Sequence, residues 1–361
     1  MRQIGLVVHH GRAAAVEAAA DVRAWAARHG VAVTELDVWG RGDGTEGGTG
    51  VGGLEPAERA HAAEEAARAG HPDLIVTLGG DGTFLRGVRI AAAADAAVLG
   101  ANVGRVGFLT EVTTDELVEA LDAVRNGTAL TEERMTLCLR ASRCLTLPPG
   151  MPAMLKYGRG PALPPPVPRP GRPEEDGWGV ALDITAVNDV VFEKLARDRQ
   201  ASLGLYLRGR LFASYSADAL IVASPTGSTA YSFAAGGPVL SPRLDAMVVT
   251  PVAPHMVFDR SLVVAGDEPV AVRVLDRSGQ VAVSVDGQLR GVMDPGDWTA
   301  VYSSPWRARL VRLRPVDFYG RLRERFSLAD APAAAADGAA PPVYRPDLPV
   351  PQELARLKLT D

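Results

Sequence analysis

Hydrophobic and polar positions follow two alternating patterns in the first third of the chain. Short runs rich in Val, Ile and Leu predict strands, and they lie at 4–9, 31–38, 73–80 and 96–103. Ala-rich stretches with apolar residues at helical spacing predict the helices between them, at 13–30, 57–70, 84–94 and 113–127. Alternating strands and helices indicate a Rossmann-like parallel sheet with helices on both faces, which we assign to residues 1–130.

The pattern changes after Thr131, where β-rich runs follow one another without intervening helices. These runs lie at 135–142, 180–193, 202–216, 219–224, 246–252, 261–266, 269–275, 281–287 and 298–304. Many short strands separated by turn residues predict an antiparallel β-sandwich, which forms a second domain over residues 131–315. The predicted fold class is therefore an α/β domain followed by a β domain.

Two segments stand outside these domains. Residues 148–173 contain ten of the 27 prolines, which cannot form a packed helix or strand and therefore predict an extended surface insertion. Residues 316–361 are expected to pack back onto the protein at first. From about Asp330 they become rich in Ala and Pro and predict a flexible tail.

Charge and cysteine content narrow the class of partner and the compartment. Lys and Arg number 38 against 43 Asp and Glu, so the formal net charge is −5, which does not favour nucleic acid or an anionic membrane. Cys138 and Cys144 are the two cysteines, and we expect both to be reduced. The start MRQIGLVVHHGR does not fit a signal peptide. We therefore expect a cytoplasmic protein with small-molecule partners.

The strongest local motif is GGDGT at 79–83, directly after the third predicted strand. Gly79, Gly80 and Gly82 let backbone amides approach phosphate oxygens, and the following helix N terminus adds a positive dipole. Asp81 could accept a proton from an attacking hydroxyl or hold a magnesium ion against a triphosphate. The alternative is a tight strand-to-helix turn in which Asp81 caps the helix.

Other familiar signals are weak or absent. The chain has no Gly-x-x-x-x-Gly-Lys-[Ser/Thr] loop, and a Gly-x-Gly-x-x-Gly match at 42–47 lies in a glycine run that favours a flexible loop. The histidines show no metal-ligand spacing with either cysteine. A metal site built from protein ligands alone is therefore not expected.

A series of motifs resembles the NAD kinase family. The motifs are GGDGTFLRG at 79–87, NVGRVGFLT at 102–110, ND at 188–189, SPTGSTAYSFAAGGPVLSP at 224–242, TPVAPH at 250–255 and SVDGQ at 284–288. GGDGT alone is shared with diacylglycerol and sphingosine kinases, whereas the PTGSTAYS block is far more specific. The resemblance extends from about residue 4 to residue 326.

That resemblance implies a reaction and its cofactors. Family members phosphorylate the adenosine ribose 2′-hydroxyl of NAD to give NADP, using ATP or polyphosphate and a divalent metal such as Mg²⁺. It also implies Asp81 as the general base, and Gly79, Gly80, Gly82 and Thr83 as the phosphate loop. The family commonly forms homodimers or homotetramers. Two alternatives stay open, a non-catalytic NAD or NADP sensor and a lipid kinase that shares GGDGT.

The resemblance further implies the residues that bind NAD. Asn188 and Asp189 match a pair in which Glu usually follows Asn, and Asp218 matches an acid usually followed by Gly rather than Ala219. Alanine would be strained there if the position needs positive φ. The loop that wraps the dinucleotide is represented by Thr226, Ser228, Thr229, Ala230, Tyr231, Ser232 and Ala234.

Three further residues complete the candidate site. His255 and Gln288 resemble family positions near the substrate pocket, and Arg86 lies one helical turn beyond GGDGT, where it could pair with phosphate. A solvent-exposed role for Arg86 and a core role for Tyr231 are the structural alternatives.

Overall fold

The computed structural model describes residues 1–36, 38, 62–104, 107–148, 179–196 and 199–328. The glycine run at 42–47, nearly all of the proline-rich segment and the tail after Leu328 lie outside the described residues. The expectations stated for those segments stay predictions.

The first third of the chain folds into alternating strands and helices, as the hydrophobic pattern predicts. Its strands are β1 Gln3–Val8, β2 Ala32–Glu35, β3 Leu74–Leu78, β4 Ala97–Asn102 and β5 Val112–Thr113. Its helices are α1 Ala13–His29, α2 Ala62–Arg68, α3 Asp81–Ala94 and α4 Leu117–Asn126. Gly30 and Gly127 end α1 and α4 in the left-handed conformation, with φ of 65° and 71°.

These strands pair in parallel in the order β2-β1-β3-β4. Strand β3 is buried along its whole length, and its Leu74, Val76 and Leu78 belong to the same hydrophobic cluster as residues of β1 and α1. The parallel α/β part of the predicted fold class is confirmed. Because β3 is central, the loop that follows it opens at the carboxyl edge of the sheet, where ligands bind in this architecture.

Two antiparallel sheets form the second part of the predicted fold class, which is also confirmed. The first sheet has β7 Leu137–Ala141, β8 Val180–Ala181, β10 Ala201–Leu207, β11 Arg210–Ala217, β15 Val270–Val274 and β18 Trp298–Ser303, in the order β11-β10-β15-β18-β7-β8. The second has β9 Asp189–Lys194, β12 Ala219–Ala223, β13 Ala246–Val252, β14 Leu262–Ala265, β16 Val281–Val285 and β17 Gln288–Met293, in the order β14-β13-β12-β9-β16-β17. One hydrophobic cluster contains residues of both sheets, as in a sandwich.

The polypeptide returns to the parallel sheet after the sandwich. Strand β19 Ala308–Arg312 pairs in parallel with β4, and β6 Leu130–Arg134 pairs antiparallel with β19. Strand β19 thereby places side chains that follow the sandwich in the sequence, such as Arg312, beside the strands that support the glycine loop.

Residues Asp317–Asp361 form a separate unit, of which α6 Phe318–Arg325 is described. The Asp317 carboxylate accepts a hydrogen bond of 2.8 Å from the Gly320 amide and so caps α6. Neither Cys138 nor Cys144 forms a disulfide. In the described ranges we find no helix that is both long and apolar enough to cross a membrane.

Candidate active site

The glycine loop joins the buried end of β3 to the first turn of α3. Gly79 is packed against its own chain, because a Cβ there would lie 2.3 Å from the Thr83 Oγ1. A Cβ on Gly80 or Gly82 would meet nothing within 4 Å. The loop therefore keeps one glycine for internal packing and leaves open space over the other two, where a ligand can approach the backbone.

Asp81 is the first residue of α3, but its carboxylate does not cap the helix. Gly80 occupies the cap position, and Asp81 accepts hydrogen bonds from the Phe108 amide at 3.1 Å and the Leu109 amide at 3.3 Å. The carboxylate lies over Gly107, where a Cβ would come within 2.1 Å of Oδ1. Two backbone donors therefore orient Asp81 and leave lone pairs for another partner.

A buried network of charged residues supports the loop that holds Asp81. Arg312 donates to the Leu109 carbonyl at 3.1 Å, to Glu111 at 3.0 Å and to Glu132 at 2.8 Å. Glu132 also binds Arg134, whose Nη1 donates to the Thr226 Oγ1 at 3.3 Å. We call Arg134 and Arg312 the paired arginines. Through them, the loop that orients Asp81 is linked to the hydroxyl-rich loop.

Asn188 and Asp189 lie at the start of β9, in a turn held by one buried carboxylate. Asp286 accepts from the amides of Val187, Asn188 and Asp189 at 3.0, 2.7 and 3.2 Å. Gly227 packs against the same turn, because a Cβ there would lie 2.0 Å from the Asn188 carbonyl oxygen. The structure therefore brings the Asn188-Asp189 pair against the start of the hydroxyl-rich loop.

Several hydroxyls of that loop are engaged by the protein itself. Ser228 donates to the Pro225 carbonyl at 2.7 Å and accepts from the Leu240 amide at 2.9 Å. The Ser232 hydroxyl lies 2.8 Å from the Thr250 hydroxyl, and Thr229 donates to the Thr226 carbonyl at 3.2 Å. These contacts hold the loop in shape. The exposed side of the loop carries Tyr231 and Ala234, with Ala230 half-buried.

Asp189 is a buried acid whose carboxylate faces the backbone of Tyr231. Burial and the charge of Asp286 raise the pKa of Asp189 to about 7, and the hydrogen bond from the Tyr231 amide opposes this rise. Burial also raises the pKa of Asp286 to about 6, against its three amide hydrogen bonds. The shorter Asp189 carboxylate thus anchors the first turn of α5 Tyr231–Ala234.

Asp218 and Tyr231 lie among further acidic groups. Asp218 pairs with Lys194 at 2.6 Å. Burial, together with the charges of Glu193, Asp189 and Asp218, raises the pKa of the Tyr231 phenol. Ala219 is the first residue of β12 and is not among the residues with positive φ, so the expected backbone strain is absent there.

Arg86 and Gln288, predicted separately, are brought together. With the Gln288 amide turned to satisfy both groups, Oε1 accepts from Arg86 Nη2 at 2.7 Å and Nη1 at 3.1 Å. Arg86 is buried and also donates to the Val38 carbonyl at 3.1 Å. Burial lowers the pKa of Arg86 to about 10, so the guanidinium remains charged at neutral pH. A solvent-exposed role for Arg86 is therefore wrong.

A small cavity opens beside Arg86 and contains residues that the sequence analysis missed. Its volume is about 40 Å³, and its lining consists of Gly82, Leu85, Arg86, Arg89, Ile184, Thr185, Val285, Asp286, Gln288 and Arg290. Arg89 follows Gly82 and Arg86 at seven and three positions along α3, a helical spacing that could have identified it. Arg290 carried no comparable signal, since it comes from β17.

His255 is placed apart from these groups. It is exposed on the loop after β13, and its backbone amide donates to the Ser216 carbonyl at 2.8 Å. None of the hydrogen bonds found among the described residues connects its side chain with the glycine loop. Its role at the substrate pocket stays a prediction.

An open glycine loop after a central parallel strand, with a helix N terminus and an oriented carboxylate, defines a nucleotide-binding phosphotransferase. The ATP-NAD kinase N-terminal domain matches residues 4–129, and the ATP-NAD kinase C-terminal domain matches residues 187–313. The chain belongs to the NAD kinase family.

Individual relatives agree with this assignment. NAD kinase 1 of Streptomyces avermitilis is 61% identical over 99% of this chain and 96% of its own length, and NAD kinase 1 of Streptomyces coelicolor is 60% identical over 99% and 95%. Among solved structures, yeast NADH kinase complexed with NADH superposes with a TM-score of 0.66 at 18% identity, over 96% of this chain and 90% of its own. An NAD kinase from Archaeoglobus fulgidus in complex with ATP has a TM-score of 0.57 at 22% identity, over 90% and 99%.

Proposed function

We propose that the chain transfers the γ-phosphoryl group of ATP to the adenosine ribose 2′-hydroxyl of NAD. The hydroxyl oxygen attacks the γ-phosphorus, the bond to the β–γ bridging oxygen breaks, and the products are ADP and NADP. The single observation that carries the proposal is the oriented Asp81 carboxylate at the open glycine loop of an NAD kinase family member.

Asp81 is the residue we assign to the hydroxyl proton. Its two amide contacts fix the carboxylate, so one of its free lone pairs can accept the proton as the new O–P bond forms. An ordinary carboxylate is a weak base for a ribose hydroxyl. Most of the rate enhancement is therefore expected from alignment of the two substrates and from neutralisation of phosphate charge.

The acceptor side is assigned to the turn at Asn188-Asp189 and to the exposed side of the hydroxyl-rich loop. Tyr231 is 41% exposed and presents a ring on which a base can stack. Ser228 and Ser232 are fully buried with protein partners, so we assign them to the shape of the loop. The charge of Asp218 acts on the Tyr231 phenol, and we assign Asp218 to the NAD side.

Magnesium would be held mainly by the substrate. Within the described ranges, no group of three or more His, Cys, Asp or Glu side chains could hold a metal ion. Asp81 is the carboxylate at the glycine loop, and Mg²⁺ commonly binds through one or two carboxylates together with phosphate oxygens and water. The residues present fit an ion of that kind. When bound, it would neutralise developing charge on the phosphates.

Three further expectations accompany the proposal. Polyphosphate remains a second candidate donor, and a homodimer or homotetramer is expected, which light scattering after gel filtration would measure. We also expect the protein to act in the cytoplasm.

The test is an end-point assay with purified protein, NAD, ATP and magnesium, coupled to an NADP-specific dehydrogenase. The parent should form NADP, and Asp81→Asn should lower kcat by about 10²- to 10⁴-fold because it removes the proton acceptor. Phe108 and Leu109 donate to different oxygens of Asp81, so the single oxygen of Asp81→Asn can accept from only one of these amides, and a modest fall in Tm is expected. Dinucleotide binding without turnover with any donor would instead support the sensor hypothesis.

A further inference from the structure

The cavity beside α3 has cationic side chains on two sides. Arg86 and Arg89 come from α3, and Arg290 comes from β17 across the cavity. We call this space the arginine cavity. Arg290 is about 200 positions from the other two arginines in the sequence, so the fold is what brings the three together.

Two of these arginines have unused hydrogen-bond donors. Arg290 is 6% exposed, and its Nε and Nη1 have no hydrogen-bond partner among the described residues. The Nε of Arg89 is likewise buried without a partner in the described part of the chain. Buried donors of charged groups are costly to leave unpaired, so a site that keeps two such arginines is prepared for an acceptor from outside the protein.

The charges around the cavity leave an excess of positive charge. Asp183 and Asp286 are the acids that act on both Arg89 and Arg290, and Glu65 also acts on Arg89. The carboxylate of Asp286 is engaged by three backbone amides, and Glu65 pairs with Arg68 at 2.6 Å. Burial lowers the pKa of Arg290 to about 9, so it is still protonated at neutral pH. Three arginines thus line the cavity together with one acid, Asp286.

We propose that the arginine cavity receives a phosphate group of the ATP triphosphate chain and that Arg89 and Arg290 bind its oxygens. The guanidinium fork matches phosphate geometry. The cavity is partly open to solvent, so a phosphate group can reach these arginines. The inference rests on the proposed function, because it names the donor of that reaction.

The position of the cavity favours the donor over the dinucleotide. Gly82 of the open glycine loop lines it, so the cavity continues the surface on which phosphates are expected to lie. None of residues 224–234 lines it, although Gln288, which resembles a family position near the substrate pocket, does. We assign the cavity to the donor on its contact with Gly82, and the KM for NAD tests this choice.

Initial-rate kinetics test this assignment with Arg290→Met, which keeps an unbranched apolar side chain and removes the charge. The KM for ATP should rise about tenfold or more, as expected when a charged hydrogen bond to phosphate is lost, and the KM for NAD should change less than about twofold. Arg273→Met is the matched control, because Arg273 is exposed on β15. It should leave both constants unchanged. A rise in the KM for NAD alone would overturn the donor assignment, and unchanged KM values would overturn the site.

A binding measurement separates the site from the reaction. Inorganic tripolyphosphate should raise the Tm of the parent and of Arg273→Met, but not of Arg290→Met or Arg89→Met, and it needs no turnover. A parent that forms no NADP but binds tripolyphosphate through these arginines would contradict the proposed function alone.

Without ligand, Arg290→Met should be at least as stable as the parent, because an unpaired buried cation is removed. A large loss of stability in both variants would show that the guanidinium groups are structural and would overturn the proposal.

Discussion

The protein contains two groups of buried arginines, the paired arginines and the arginines of the arginine cavity, and their hydrogen bonding differs. Arg312 is 1% exposed and is bound by Glu111, Glu132 and the Leu109 carbonyl, with only its Nη2 unpaired in the described residues. Arg290 is 6% exposed, and its Nε and Nη1 have no hydrogen-bond partner among the described residues. Most donors of Arg312 are thus paired within the protein, whereas Arg290 and Arg89 keep unpaired donors in the described part of the chain.

This difference separates supporting residues from ligand-binding residues. A buried charge is tolerated when carboxylates and hydrogen bonds compensate it, and the paired arginines use that compensation to hold the loops of Leu109 and Thr226. A buried charge without such partners lowers the stability of the free protein. It is therefore expected where binding of an anion restores the balance.

The largest expected effect on stability comes from breaking the paired arginines. Arg312→Met would leave Glu111 without its buried cation and Glu132 with Arg134 alone, and should lower the free energy of unfolding by about 3–5 kcal/mol. Urea denaturation measures this. Arg309→Met on the same strand is the control, since Arg309 pairs with the exposed Asp95 and should contribute about 0–1 kcal/mol. Equal effects of the two substitutions would contradict the comparison.

The acids beside the arginine cavity should make stability depend on pH. The pKa of Asp189 is raised to about 7 in the folded protein, so the folded state binds more protons than the unfolded chain between about pH 4 and pH 7. Stability from this group is therefore full below about pH 4 and is lost as pH rises to 7. Asp189→Asn should be more stable than the parent at pH 8 by a few kcal/mol, relative to their difference at pH 4. Parallel stability curves for the two proteins would rule out this linkage.

Asp189→Ala is the structural control for Asp189→Asn. Asparagine keeps an oxygen that can accept from the Tyr231 amide, so the anchor of α5 should be retained. Asp189→Ala removes the acceptor as well. Both variants should lose the part of the pH dependence that comes from Asp189, and the alanine variant should be the less stable of the two because it also loses the anchor of α5.

The glycine loop also contains one position that is packed within the protein and another that is left open for a ligand. Gly79→Ala places a Cβ 2.3 Å from the Thr83 Oγ1 and should cost about 1–3 kcal/mol of stability. Gly82→Ala meets no protein atom within 4 Å, so stability should be unchanged while the KM for ATP rises. Thermal melts and initial rates measure the two effects. A Gly82→Ala protein with parental kinetics would show that the open space is not used by substrate.

The smallest effect is expected for a pair that is satisfied but partly exposed. Lys194 and Asp218 form an ion pair at 2.6 Å with exposed side-chain fractions of 26% and 40%. Lys194→Met should change the free energy of unfolding by less than about 1 kcal/mol, and added salt should reduce the difference further. A loss near that of Arg312→Met would mean that pairing rather than burial sets the energy.

Local sequence signals predicted the fold and the glycine loop well. The alternation of strands and helices, the helix ends at Gly30 and Gly127, and the loop after β3 all depend on neighbours within a few residues. The same is true of the hydroxyl-rich loop, where Ser228 contacts Pro225. Short-range patterns of this kind are readable because periodicity and turn chemistry act along the chain.

The long-range contacts could not be predicted in the same way. Arg312 contacts Glu111 across 201 positions, and Arg290 of β17 lines the same cavity as Arg89 of α3. The return of β19 to the parallel sheet had no signal in its composition. The anchoring of Tyr231 by Asp189 was missed because the side chain was considered only for ligand contact. Such contacts depend on register and packing, which a single sequence does not reveal.

Phosphorus-31 NMR of the parent with NAD, ATP and magnesium follows the transfer of the phosphoryl group from ATP to NAD. We expect the γ-phosphate resonance of ATP to disappear and a monoester phosphate on the adenosine ribose of the dinucleotide to grow in equal amount. Free inorganic phosphate in place of that monoester, or an unchanged spectrum while dinucleotide binding is measurable, would contradict the proposed transfer.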